Sequence, residues 1–568
     1  MNSLENIYPR CYKILGGNAW RELFSEGNRP DAPDFPEFLT QKIQAGLVPY
    51  LADLAAIERA FWQINWSRSN RETPKCHCER SEAISMRVDE IASAIRLPRN
   101  DATGQINGRN KSLINIAQLM VNPDLELLHL SWQLADDFDK FLAEPVIPHL
   151  GEQYVLVWWD ESRKSVQLRK AQGEDLLALK IVTENISFQA AAQANQVTVG
   201  TIKKIIRREI QQGVLLTPPS RIRRNPANFG AKLPIPEEAL SAPVFSLQWH
   251  LTNVCEQNCK HCYDRYNYTP LSLSQSLKIL ADLDDFCRER WVDGHVGFTG
   301  GNPFFYPHFF ELYQAASDYG FSTSVLGNPV KESLLEKMLA IQRPRFYQVS
   351  LEGLKDHNDQ VRGQGHYEKA LGFLNVLKKW GITSHVMLTL TGDNLDQVLP
   401  LAEQLRGWAD FFTFNRLSRV GNGAGLNLPG QEDYERFLKS YKKAGSANPI
   451  LTFKDNLFNI LNYRDDGRLS GGCTGYGCGA AFNFLVVLPD GEVHACRKFP
   501  SPLGNLTRQK LAQIYDGAQA DKYRTGCAAC KACPIRHACG GCPAVSYGFG
   551  QDVFTRKDPF CFFECSPR

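Results

Sequence analysis

Apolar residues recur at three- and four-residue intervals over residues 51–61 and again over 127–142. That is the period of amphipathic helices, so residues 1–150 are expected to form a helical N-terminal region. The rhythm then shortens. Residues 154–159 and 165–169 read as two strands about a short polar turn. Helical spacing returns over 174–183, 187–194 and 198–212, with Gly213 placed where a C-cap glycine stops a helix. Two strands and three helices make 151–217 a small winged-helix-like module. Pro218-Pro219 opens a linker, 218–240, that carries Arg221, Arg223 and Arg224. Strand and helix alternate from there on. The strands are expected at 245–252, 296–301, 322–328, 347–353, 385–391 and 411–417, with amphipathic stretches at 271–290, 367–380 and 395–405. Six β/α repeats over 241–440 predict an α/β fold, a parallel sheet with outer helices curving into a partial (β/α)6 barrel. Chemistry in such barrels sits at the C-terminal ends of the strands. Residues 441–568 offer short strands and loops with little apolar core of their own, so something besides packing must hold them.

Composition adds few surprises at first. The chain has 568 residues, 43% hydrophobic and 22% charged, with 64 Lys plus Arg against 61 Asp plus Glu for a net charge of +3. At about 150 residues each, that length carries three to four domains. So even a balance argues against a protein organised around nucleic acid. No apolar run approaches the roughly 18 residues that span a bilayer. Residues 1–10 lack the basic start and apolar block of a signal peptide. The expectation is a cytoplasmic protein with no membrane partner.

The 17 cysteines change the picture, because three sit together at Cys255, Cys259 and Cys262 and ten lie from Cys473 to Cys565. In a reducing compartment, clustered thiols bind metal more often than they form disulfides. A further group, Cys76-His77-Cys78, opens the stretch 76–103, which differs from its surroundings and resembles translated copies of a dispersed bacterial genomic repeat. Adjacent ligands suit a single ion poorly. This stretch is read as a surface insertion, which long loops tolerate.

Cys255-x3-Cys259-x2-Cys262 falls in the loop after the first barrel strand, with Tyr263 directly behind it. A four-iron cluster takes four thiolates, so three leave one iron open to an outside ligand. Zinc is the competing reading, with His250 or His261 as a fourth ligand. The triplet and its aromatic neighbour, after strand one of a six-fold β/α pattern, resemble the radical S-adenosylmethionine (radical SAM) superfamily. That resemblance implies Cys255, Cys259 and Cys262 as catalytic residues holding a [4Fe–4S] cluster whose open iron binds SAM. Reductive cleavage of SAM to a 5′-deoxyadenosyl radical, which abstracts hydrogen from the substrate, follows from it. The resemblance extends along the barrel. Gly300-Gly301-Asn302-Pro303 stands where the family has a Gly-Gly-Glu-Pro-like turn, with Asn302 in place of the carboxylate. Ser350-Leu351-Glu352-Gly353, His357, Asp359 and Arg362 resemble the Ser-Leu-Asp-Gly…His-Asp…Arg run of the peptide-modifying branch. Tyr263, the Gly-Gly turn, Ser350, Glu352 and Arg362 are thereby implied as SAM contacts, Arg362 by a paired contact to the SAM carboxylate.

Cys478-x12-Gly491-x4-Cys496, then Cys530-x2-Cys533-x5-Cys539-x2-Cys542 and Cys561, resemble the SPASM domain of radical SAM maturases. That domain carries two auxiliary [4Fe–4S] clusters. The family's interleaved pattern implies Cys473, Cys478, Cys496 and Cys542 for the first and Cys530, Cys533, Cys539 and Cys561 for the second. The Cys-x2-Cys gap leaves an exchange of Cys539 and Cys542 open. Cys527 and Cys565 are extra, and Cys11 and Cys287 read as buried or free thiols. Paired zinc ribbons are the alternative for this tail taken alone.

In the middle module, the last helix and linker carry Lys203, Lys204, Arg207, Arg208, Arg221, Arg223 and Arg224 against Glu209 alone. A basic helix serves DNA in the major groove, or a peptide that adds as a strand to the sheet edge. The peptide reading resembles the leader-recognition element of ribosomal-peptide maturases, and acidic leaders would suit the face. The resemblances together imply a radical SAM/SPASM peptide maturase. Its partners would be a precursor peptide bound through its leader at 151–217 and a reductant such as flavodoxin or ferredoxin. A Cys-rich target gaining a crosslink or heterocycle fits, in a layout similar to the selenobiotic-type maturases. An anaerobic sulfatase- or dehydrogenase-type maturase is the alternative enzyme. A redox-sensing DNA-binding regulator is the alternative outside enzymes, and steep salt dependence of DNA binding would mark it.

Overall fold

The computed structural model describes residues 50–70, 119–138, 148–230, 235–263, 268–465, 467–469, 471–473 and 475–563, with short stretches at 7–11, 13–15, 35–37 and 39. The insertion read at 76–103, with Cys76, His77 and Cys78, lies outside the described residues, as does Cys565. Two compact units emerge, Met1–Pro218 and Pro219–Arg568. No helix among the described residues is long and apolar enough to cross a membrane.

In the first unit, helix α1 (Leu51–Asn70) is followed by β1 (Met120–Val121), β2 (Glu126–Gln133), β3 (His149–Asp160) and β4 (Ser165–Lys170). Helices α2 (Gly173–Thr183), α3 (Phe188–Asn195) and α4 (Val199–Gln211) come next, then β5 (Leu215–Leu216). β2, β3 and β4 form one antiparallel sheet in that order, and β1 pairs with β5. Local chemistry sets the helix boundaries. The Ser187 hydroxyl accepts from Ala190 N–H to cap α3, Thr198 does the same from Thr201 N–H for α4, and Gly213 at φ +75° follows α4. The sheet is buried on both faces. Leu127, Leu156 and Trp158 join Leu179, Phe188 and Ile202 in one core, while Leu128, Leu130 and Val155 join Leu54 and Ile57 of α1 in the other.

That double burial corrects one expectation. The stretch read as helical at 127–142 is strand β2 from Glu126 to Gln133, followed by a 3-10 turn at Ala135–Asp137. With both faces covered, Leu127 serves one core and Leu128 and Leu130 the other. The apolar positions therefore do not alternate, and their spacing mimics a helix. Residues 1–150 are thus not all helical, and the sheet of the module begins before residue 151.

The basic face on α4 is also corrected. The Arg208 guanidinium is held by Asp175 at 2.7 Å, by Glu209 at 2.9 Å and by Glu174, while Arg169 of β4 reaches Glu209 at 2.7 Å and Asp175. Asp175, Glu209 and Lys203 are buried. Of the cations that sequence spacing lines up on α4, Arg208 is neutralised by carboxylates from α2 and from α4 itself, while Lys204 stays exposed. The linker residues are spent too, within the second unit. Arg223 pairs with Glu237, Arg221 stacks on Trp291 at 4.1 Å, and buried Arg224 donates to the carbonyls of Cys478 (2.7 Å) and His537 (3.1 Å). Residues 219–230 are fastened to that unit and do not hang as a free linker.

The second unit alternates β6 (Val244–His250), α5 (Leu273–Arg290), β7 (Asp293–Thr299), α6 (Phe309–Asp318), β8 (Ser322–Leu326), α7 (Glu332–Ile341) and β9 (Tyr347–Ser350). After α8 (Lys355–Arg362) and α9 (His366–Lys379) come β10 (Ser384–Leu390), α10 (Val398–Gln404), β11 (Phe411–Arg416), α11 (Gln431–Gly445) and α12 (Phe458–Asp465). β6 to β11 pair in parallel and in chain order, the partial (β/α)6 barrel expected from the sequence. On the other edge of β6, the tail adds β12 (Phe484–Val487) in parallel, then β13 (Glu492–His494) and β14 (Pro502–Asn505) antiparallel, making nine strands in one sheet. The tail therefore borrows the barrel's core, with all four residues of β12 buried.

One buried ion pair fastens the C-terminal residues to the barrel end. Arg416, the last residue of β11, donates through both terminal nitrogens to the two Asp558 oxygens at 2.8 Å, and through Nε to Asp455 at 2.7 Å. Removing Asp558 leaves Arg416 with Asp455 as its counter-ion but strips two buried guanidinium donors and the Cys542 and Phe560 amides of their acceptor. Asp558→Ala is expected to cost about 2–4 kcal/mol, read as a marked fall in the thermal unfolding midpoint. An unchanged midpoint would contradict this account of the contact.

Candidate active site

At the C-terminal ends of the six barrel strands lies an open pocket of about 1200 Å³, its solvent mouth included. Every strand contributes to its wall, for example Asn253 after β6, Thr299 on β7, Asn328 after β8, Ser350 on β9, Thr389 on β10 and Asn415 on β11. Cys255, Cys259 and Cys262 all face this pocket, as do Tyr263, Gly300, Gly301, Ser350 and Arg362. Asn302, Pro303 and Glu352 do not line it.

The loop that carries the three thiols is pinned by its neighbours. Gly301 N–H donates to Thr252 O at 2.7 Å, Asn302 N–H to Val254 O at 2.9 Å, and Lys260 N–H to Val361 O at 3.0 Å. The two glycines make that approach possible. A Cβ at Gly300, which sits at φ +138°, would stand 2.3 Å from Thr252 O, and one at Gly301 would stand 2.3 Å from Val254 O. Asn302 is buried. Its carbonyl oxygen accepts from Phe304 N–H at 3.2 Å, capping the turn that Pro303 begins, and its amide donates to both Glu256 oxygens at 3.2 Å. Asn302 thus supports the cysteine loop through Glu256.

N–H groups surround the sulfurs. Asn328 Nδ2 lies 3.3 Å and Gln257 N–H 3.4 Å from Cys255 Sγ, and Arg362 Nη1 lies 3.8 Å from Cys259 Sγ. Burial raises the Cys259 pKa, and the Arg362 charge works against it. Three neighbouring thiols, two of them beside N–H donors, fit a thiolate-bound cluster.

Arg362 has a different posting from the one expected. Its Nε and Nη2 both meet Glu352 Oε1, at 2.9 and 2.5 Å, so the paired edge of the guanidinium is occupied. Only Nη1 turns toward Gln257 and Cys259. Glu352 is buried and also takes Thr389 N–H at 2.7 Å, with His261 Nε2 3.4 Å away. Burial alone would raise its pKa, but His261, Arg362 and the Thr389 amide together hold it below the usual carboxylate value. Glu352 thus acts as the counter-ion that keeps Arg362 beside Cys259, not as a wall of the pocket.

The tail brings its cysteines together in two groups. Cys473, Cys478, Cys496 and Cys542 surround one cavity of about 530 Å³, and Cys530, Cys533, Cys539 and Cys561 surround another of about 330 Å³. Cys542 N–H donates to Asp558 at 2.8 Å and Cys539 N–H to Ile535 O at 2.9 Å, and a further cavity is lined by Cys478, Cys527, Cys539 and Cys542. Cys527 lines neither of the first two cavities, and its thiol donates to Arg556 O at 2.9 Å. Cys11 and Cys287 are buried. Burial pushes the Cys478 and Cys539 thiols well above the usual range and Cys496 to about 11. Metal binding at these groups must displace those protons.

Sequence reasoning passed over Arg416, Arg497 and Lys498, which also line the pocket. The signal for the last two was their place directly after Cys496. Arg416 carries no motif at all, only its position at the end of the sixth strand.

Residues 249–405 match the radical SAM superfamily and residues 478–543 match SPASM, an iron–sulfur cluster-binding domain. The chain is 28% identical over 344 residues to mycofactocin maturase MftC of Mycolicibacterium smegmatis, covering 57% of this chain and 84% of that one. It is 24% identical to AdoMet-dependent heme synthase of Methanosarcina barkeri, covering 56% and 96%. With the subtilosin biosynthesis protein AlbA of Bacillus subtilis it shares 25% identity, covering 55% and 69%. Among solved structures, SuiB of Streptococcus suis aligns with a TM-score of 0.47 at 15% identity, covering 72% of this chain and 96% of that one.

Gly301→Ala drives a methyl group into Val254 O and should displace the cysteine loop. About a third of the iron that reconstituted protein binds is then expected to be lost. Gly372→Ala on α9, where nothing lies within 4 Å, should lose none. Equal iron in both variants would contradict the packing argument.

Proposed function

From a chain that is a radical SAM enzyme with a SPASM domain, working with SAM, a [4Fe–4S] cluster and auxiliary iron–sulfur clusters, we infer a maturase that modifies a ribosomally made peptide. When bound, the SAM cluster supplies the electron that cleaves SAM to a 5′-deoxyadenosyl radical, and that radical takes a hydrogen atom from the substrate. The protein's part is binding, orientation and exclusion of water. Cys255, Cys259 and Cys262 hold the cluster at the pocket floor. Asn328 and Gln257 donate to a thiolate there, and Arg362, fixed by Glu352, places a positive charge beside Cys259. Gly300 and Gly301 leave the backbone of the turn bare toward the pocket, where its carbonyls can take the SAM ammonium. Ser350 offers a hydroxyl for the ribose, and Tyr263 an aromatic wall.

Cys473, Cys478, Cys496 and Cys542 hold the first auxiliary cluster, and Cys530, Cys533, Cys539 and Cys561 the second. With every iron ligated by cysteine, both serve as electron relays and staples. The observation that carries this reading is the convergence of the Cys255–Cys262 loop and all six strand ends on one pocket whose far wall, Arg497 and Lys498, continues directly from Cys496.

The peptide substrate is supported by the names that MftC and AlbA carry, and by the first unit. Among the described residues β4 pairs with β3 alone, which leaves an edge to which a leader segment can add as a strand. Main-chain hydrogen bonds, not charge, would carry that docking, since Arg169 and Arg208 are neutralised internally. A Cys-rich target gaining a thioether or heterocycle suits the two relays, because such a product needs an electron removed from the substrate radical. A flavodoxin or ferredoxin would supply the reducing electron. A tetrapyrrole substrate, as in the heme synthases, leaves the first unit without a role.

The test is anaerobic. Reconstituted protein should bind about 12 iron per chain and release 5′-deoxyadenosine from SAM and dithionite. The Cys255→Ala/Cys259→Ala/Cys262→Ala variant should keep about 8 iron and release none. Zinc in place of iron, or SAM cleavage that survives the triple substitution, would overturn the reading.

A further inference from the structure

The two four-thiol cavities differ in charge. Lys454, from the loop before α12, and Lys498, two residues past Cys496, both line the cavity of Cys473, Cys478, Cys496 and Cys542. Among the described residues no carboxylate pairs with either lysine. Their electrostatic neighbours are Arg497, the thiols of Cys473 and Cys496, and each other. Arg416 lines the same cavity, but Asp455 and Asp558 already neutralise it. The cavity of Cys530, Cys533, Cys539 and Cys561 is walled by Leu457, Ile460, Ile535 and Phe563, with one cation, Arg536, and one carboxylate, Asp558. An iron–sulfur cluster with four cysteine thiolates carries net negative charge, and each added electron deepens it. Nearby cations stabilise the reduced form and raise the reduction potential. Among the described residues the first cavity has two cations outside any ion pair where the apolar second has Arg536 alone, Asp558 being paired with Arg416.

We propose that Lys454 and Lys498 are potential-setting residues that make the first auxiliary site the better electron acceptor of the two. The proposal rests on the cluster assignment above and deepens it. The acceptor then stands where it is needed, because Asn415, Arg416 and Lys498 line both its cavity and the reaction pocket. The backbone there is held fixed. Ser418 Oγ donates to Lys498 O at 2.7 Å, and Cys496 N–H donates to Ser501 Oγ at 3.1 Å. The redox step is simple. In vitro, one electron from dithionite through a viologen mediator would take the core from the 2+ to the 1+ state with no bond broken and no proton moved.

The experiment uses the full-length Cys255→Ala/Cys259→Ala/Cys262→Ala protein, in which only the two auxiliary sites remain, titrated with dithionite and followed by electron paramagnetic resonance. Two one-electron waves are expected, and adding Cys530→Ala/Cys533→Ala should remove the lower one. Lys454→Gln and Lys498→Gln should each move the upper wave to lower potential and leave the lower wave in place. Lys454→Arg and Lys498→Arg should restore it, which separates charge from folding. Displacement of both waves together, or of neither, overturns the proposal. Protein that binds no iron in the triple variant overturns the cluster assignment itself, and the proposal with it.

Discussion

A single buried guanidinium ties the reaction pocket to the tail. Arg416 ends the sixth strand, lines the pocket, and meets Asp455 and Asp558 through a full set of charge-assisted hydrogen bonds. Asp558 in turn fixes Cys542 N–H and Phe560 N–H, and Asp455 fixes the turn at Leu457. One ion triad thus sets the positions of residues around both four-thiol cavities while anchoring them to the barrel. A tail with little apolar core of its own depends on that anchor and on β12 joining the sheet beside β6.

Charge is handled differently at the three thiol sites. At the barrel triplet, Glu352 balances Arg362, which leaves a directed donor beside Cys259 without a large net field. At the first tail group two lysines have no carboxylate partner among the described residues. At the second, Arg536 stands among apolar walls, with Asp558 already paired to Arg416. The protein thereby gives three similar sets of thiols three different electrostatic settings.

Much of this was legible beforehand, for physical reasons. The six barrel strands follow from runs of apolar residues buried on both sides, and the thiol triplet from fixed spacing in a loop after the first. The small module's helices were marked by their apolar spacing, and the last of them by Gly213 behind it. Sequence failed where burial or partnership depends on distant residues. β2 looked helical because its leucines serve two cores. The basic stretch looked like a docking face because Glu174, Asp175 and Glu237 meet it only after folding. The pairing of Arg362 with Glu352 has no local signal, because the two meet only when the end of β9 and α8 come together.

The account stands or falls on where the hydrogen atom comes from. A Cys-containing candidate peptide, deuterated at its non-exchangeable positions, would be incubated with the enzyme and SAM and the released 5′-deoxyadenosine weighed by mass spectrometry. Deuterium in the nucleoside, with a matching loss of mass from the peptide, is the predicted result. Unlabelled 5′-deoxyadenosine beside an unaltered peptide would contradict it.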